Sequence, residues 1–93
     1  MFDLNSINYE TREAVTQLLE IAKAEVPKLH SGEIIILADL FKGYEWKRIP
    51  PTQRKLLGRY FLDYCDTKEG KEYMEVLDKT KTHQQMYARK STT

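Results

Sequence analysis

Cysteine is nearly missing from this chain. Cys65 is the only one in 93 residues, so no intrachain disulfide and no cysteine-rich zinc site can form, and nothing calls for an oxidising compartment. A lone cysteine of this kind reads as a reduced, buried thiol. His30 and His83 are the only histidines. They lie far apart without a matching carboxylate pattern, which argues against a transition-metal site, and neither a metal nor a cofactor is expected. The four glycines, Gly32, Gly43, Gly58 and Gly70, are too scattered for a phosphate-cradling loop, and there is no His-Glu-x-x-His pair and no nucleophile elbow. Cys65 and His83 would need an orienting third group to act as a nucleophile pair. A non-enzymatic protein is the expectation. No apolar run approaches the length of a bilayer, and Met1-Phe2-Asp3 does not open a basic-then-apolar leader, so a cytoplasmic protein without a membrane partner is expected.

What is present is an ordinary globular balance, 41% hydrophobic and 31% charged. The length suits one domain over residues 1–93, with 89–93 read as a flexible tail. Net charge is only +1, yet its distribution is uneven. Residues 1–41 hold three basic and seven acidic side chains, 42–60 six and one, 61–78 two and six, 79–93 four and none. Two basic segments therefore interrupt an acidic scaffold. They can attract a polyanion if folding brings them onto one face, because screening confines each charge to roughly 10 Å.

Asn5-Ser6-Ile7-Asn8 offers capping side chains ahead of Ala14, Val15, Leu18, Leu19, Ile21 and Ala22 at helical spacing, predicting a helix from Asn8 to Glu25 that Pro27 ends. Residues 28–32 form a turn. Glu33 to Leu37 has the composition of a short buried strand, running into a short helix from Leu37 that Gly43 closes. Pro50-Pro51 introduces a third helix over Thr52–Tyr64, with Leu56, Leu57, Tyr60, Phe61 and Tyr64 on its apolar side and Phe41 joining the same core. Gly58 inside that helix costs about 1 kcal/mol relative to alanine, which implies close packing or close approach of a ligand. Asp66 to Gly70 reads as a loop, and 73–77 with 84–88 as two strands around a Lys- and Thr-rich turn; helical continuation through 71–78 is the rival. Helix, short strand, helix, helix and β-hairpin is an α+β order, the layout of a winged helix-turn-helix with the hairpin as wing.

Lys42-Gly43-Tyr44-Glu45-Trp46-Lys47-Arg48 and the following Arg54-Lys55 interleave aromatic and basic residues. Single strands suit this mixture. Cations neutralise phosphates, and flat rings stack on unpaired bases for about 1 to 3 kcal/mol each. Trp46 can serve as core anchor or base contact, and Tyr44 likewise. Lys42, Lys47, Arg48, Arg54, Lys55 and Arg59 form the first cationic set, and Lys79, Lys81, His83 and Arg89, with Lys90, a second around the hairpin.

The run from Leu40 to Pro50, with Phe41-x-Gly43-x-Glu45-Trp46 and the basic pair Lys47-Arg48, then Arg54, Leu57-Gly58 and Phe61, resembles a family of small proteins on bacterial mobile elements. The likeness extends loosely through Lys79–Gln85. That family, catalogued as a domain of unknown function, includes cassette-chromosome single-stranded DNA-binding proteins. The resemblance implies a winged helix-turn-helix, replication or transfer of the element, and aromatic residues lining an apolar pocket: here Phe41, Tyr44 and Trp46, beside Lys47, Arg48 and Arg54. Expected partners are single-stranded DNA and replication proteins of the same element, with the oligomeric state left open. Rival readings keep the fold as a duplex-binding transcriptional regulator, or make the chain an adaptor or inhibitor of a replication or defence protein.

Overall fold

A computed structural model describes residues 9–91. Helix α1 (Tyr9–Glu25) turns Val15 and Ala22 fully inward, with Leu18 and Leu19 against the same core. The spacing that predicted the helix also fixes its buried side. The capping residues Asn5–Asn8 lie outside the described residues. Pro27 does not break the chain abruptly but sits in a single 3-10 turn, Val26–Lys28, where its missing N–H is harmless. A turn at Ser31-Gly32 follows, with Gly32 at φ 85°, a conformation that favours glycine.

Strand β1 (Ile34–Ile36) is three residues long and alternates: Ile34 faces out and Ile35 in. A 3-10 turn, Leu37–Leu40, continues it, opened by the Ile36 N–H donating to Asp39 Oδ2 at 3.0 Å. The predicted helix closed by Gly43 is corrected here. Phe41 and Lys42 are extended, and Gly43 instead opens helix α2 (Gly43–Arg48). The four residues Leu37–Leu40 are too few to sustain an α-helix, whereas the Gly43–Arg48 stretch gains one whose last turn carries Lys47 and Arg48.

Helix α3 (Pro51–Cys65) starts with Pro51 in its first turn and buries Leu56, Leu57, Phe61, Tyr64 and Cys65. The expected loop at 66–70 is also corrected. Helix α4 (Lys68–Tyr73) begins there, Thr67 Oγ1 accepting the Gly70 N–H at 3.1 Å, and the rival helical reading holds as far as Tyr73. Strands β2 (Met74–Lys79) and β3 (Gln85–Arg89) then form an antiparallel hairpin. Strand β1 pairs antiparallel with the other edge of β3, in register Ile34↔Ala88 and Ile36↔Met86, giving the order β1-β3-β2. The fold is α+β: a three-stranded sheet on a layer of helices.

Phe61 from α3 meets Tyr87 from β3 edge to face at 4.9 Å, at the centre of the core. Cys65 is the buried thiol that the sequence suggested, and burial pushes its pKa up to about 12. The expected tail starts too early. Arg89 closes β3, and the Lys90 N–H donates to the Tyr73 carbonyl at 2.8 Å.

Candidate nucleic-acid interface

The hairpin folds back beside α3 and leaves a cleft of about 590 Å³ between them, within the range of small-ligand sites. Arg54, Lys55, Gly58 and Leu62 enter it from α3, and Lys79, His83 and Gln84 from the hairpin. Leu37 and Tyr87 contribute apolar floor, and Trp46 closes the end near α2. Both basic segments thus reach one cavity. Its lining holds Arg54, Lys55, Lys79 and His83 and no carboxylate. Among the described residues the ion pairs are Lys23–Glu20, Lys28–Glu25 and Lys71–Asp66, so no cation of the cleft is held by one.

Trp46 is half-buried and borders both the core and the cleft. Its ring packs on buried Phe41 at 5.7 Å between centroids, while the guanidinium carbon of Arg54 lies 5.3 Å from its centroid. Arg54 is anchored by Nη2 donating to the Lys47 carbonyl at 3.2 Å, and its Nε is buried without a partner. The pair makes a fixed wall.

The remaining candidates separate from the cleft. Tyr44 is 53% exposed, but two residues along a helix is a half turn, so it stands away from Trp46, with Arg48 5.1 Å from its ring. Phe41 is core. Lys47, Arg59 and Lys81 are exposed and do not line the cleft. Lys42 borders a different hollow, shared with Glu25, Lys28 and Asp39. Arg89 is a correction: it is 7% exposed. Its Nε donates to the Val26 carbonyl at 3.2 Å, Nη1 donates to the Lys90 carbonyl at 2.6 Å, and its guanidinium lies 4.9 Å from the Tyr73 ring. The Nε bond ties β3 to the 3-10 turn that follows α1, and burial withdraws the guanidinium from the surface.

Sequence reasoning missed Leu62, Gln84 and Gln85 as lining residues. Four-residue steps from Arg54 through Gly58 to Leu62 carried the signal, since such steps share one helix face. Gly58 needs a further correction: a Cβ built on it meets no atom within 4 Å, so close packing does not explain it. The hairpin turn is held by Thr80 and Gln84, with the Thr80 N–H donating to the Gln84 carbonyl at 2.8 Å and His83 adopting φ 65°. That turn conformation lets His83 reach the cleft mouth.

Among the described residues no cluster of three His, Cys, Asp or Glu could hold a metal ion, and no helix is long and apolar enough to cross a membrane. A family model described as a domain of unknown function, DUF1413, matches residues 20–89. No curated protein and no solved structure matches the chain.

Proposed function

The chain belongs to the DUF1413 family, and from that premise and the geometry of its cleft we propose that it is a non-enzymatic, winged-helix, single-stranded DNA-binding protein of the cytoplasm, largely sequence-independent and serving replication or transfer of a mobile element. One observation carries the reading: cations from two segments distant in sequence rim a single apolar cleft that has no carboxylate in its lining. A polynucleotide strand needs this combination, phosphates at a positive rim and bases over an apolar floor. The β1-β3-β2 order, with α2 and α3 joined by the short Ile49-Pro50 link and followed by a hairpin, supports the winged-helix reading. The resemblance of the Leu40–Pro50 run to cassette-chromosome strand binders supports the element.

Trp46 lines the cleft and is the only tryptophan, so its fluorescence reports occupancy directly. Titration with a mixed-sequence single strand, its duplex and the matching RNA, at two salt concentrations, is expected to give tightest binding to the DNA single strand. Lys55→Ala and Lys79→Ala are each expected to weaken binding and to flatten the log–log salt slope by about 0.7 for each phosphate that is no longer neutralised. Equal affinity for single strand and duplex would reject the reading. It would favour duplex recognition instead, for which Lys55 and Arg59, both exposed at four-residue spacing on α3, are the relevant observation.

A further inference from the structure

Helix α3 has a gap in the middle of its cleft-facing row. Arg54, Gly58 and Leu62 follow one another at four-residue spacing and all line the cleft, so Gly58 leaves bare backbone between a guanidinium and an apolar side chain. Glycine inside a helix is disfavoured against alanine, and two structural needs would account for it: a Cβ that collides, or a positive φ. Neither applies. A Cβ at Gly58 would meet nothing within 4 Å, and among the described glycines only Gly32 has positive φ. Neither sterics nor backbone conformation therefore calls for glycine there, and the position it leaves bare lines the cleft.

We propose that Gly58 is the seat of an unpaired nucleobase, which lies against the α3 backbone between the Arg54–Trp46 wall and the hairpin. This deepens the single-strand reading and rests on it. The chemistry is that of a flat ring with polar edges: its face meets the flat guanidinium or bare helix, and its edges meet Gln84 at the rim. Phosphates on either side of such a base reach Lys55 and Lys79. A paired base has both faces stacked on neighbours and cannot enter without unstacking, so the seat selects single strands.

The test uses Gly58→Ala and Gly58→Leu in the full chain, with a mixed-sequence single strand and an abasic strand of equal length as probes. Both variants are expected to fold, the alanine form melting about 4–8 °C higher because it removes the helical glycine. The leucine side chain would occupy the place of the ring. Gly58→Leu is therefore expected to bind the normal strand about 10-fold more weakly, a cost of about 1.4 kcal/mol, with an unchanged salt slope and unchanged binding of the abasic strand. Gly58→Ala is expected to shift the same way by about 3-fold, and decides the matter if the leucine form fails to fold. Wild-type protein that binds neither strand would overturn the single-strand reading itself. Wild-type binding that neither substitution weakens would overturn the seat and leave that reading standing, and so would equal losses on normal and abasic strands.

Discussion

Arg89 directs its guanidinium inward, onto the Val26 and Lys90 carbonyls and the Tyr73 ring, while Lys55 and Lys79 line the cleft. In sequence they are equivalent members of basic segments. The difference is that a strand residue alternates between faces, so Arg89 takes the inward side of β3, beside buried Tyr87 two positions earlier. Arg89→Ala is expected to lower unfolding free energy by about 2 kcal/mol, since it strips a charged donor from two carbonyls. Urea denaturation measures this. In the same variant, under conditions where it stays folded, the salt slope of strand binding is expected to match the wild type, separating a structural arginine from a binding lysine.

The elements that departed from expectation are the short ones, α2 and α4, and both depend on contacts outside themselves. Six residues cannot form a stable helix alone. Helix α2 is held because Trp46 packs on Phe41 and under Arg54, and α4 because Gly70 lets it lie directly on the end of α3. A Cβ at Gly70 would stand 2.7 Å from Cys65 Cα, closer than real side chains approach. Gly70→Ala is expected to cost about 3 kcal/mol by forcing those backbones apart, read as a lowered urea midpoint. It forms a direct contrast to Gly58→Ala, where the same chemical change meets open space. Composition cannot tell these two helical glycines apart; only the neighbouring backbone does.

Across the whole molecule, the cleft beside α3 is lined by cations without a carboxylate, while two other hollows mix both signs. The described body spans 45 × 28 × 23 Å, so charges on opposite sides lie beyond one Debye length of roughly 10 Å at 0.1 M salt. The cleft has no carboxylate in its lining, whereas Asp63, Asp66 and Glu75 share a neighbouring hollow with Lys71 and Lys90, so a chain of net charge +1 can still present a cationic rim. The shared core adds a pH response. Burial raises Cys65 from its ordinary 9.0, and Tyr87 from 10.0, to about 12 in each case. Unfolded chains release these protons first, so the stabilisation is complete below pH 9 and is lost as pH rises toward 12. The urea midpoint is expected to fall across that alkaline range. Cys65→Ala is expected to make the fall begin near pH 10 rather than 9, and an unchanged onset would show that the thiol is not protected.

The sequence determined what local periodicity and composition can determine. The helical stripes of α1 and α3, the β-branched strand, the hairpin, the buried cysteine and the core positions Leu56, Leu57, Phe61 and Phe41 all follow from spacing that the backbone enforces within a few residues. It also marked which segments are cationic. Tertiary structure decided the rest, because it depends on residues far apart in the chain: which arginine turns inward, which glycine is obligatory, and that α3 and the hairpin share one cleft. Those outcomes rest on the pairing of β3 with both other strands, which swings Lys79 and His83 beside Arg54 and Lys55. No window of the sequence contains both partners of that contact, so no local pattern could encode it.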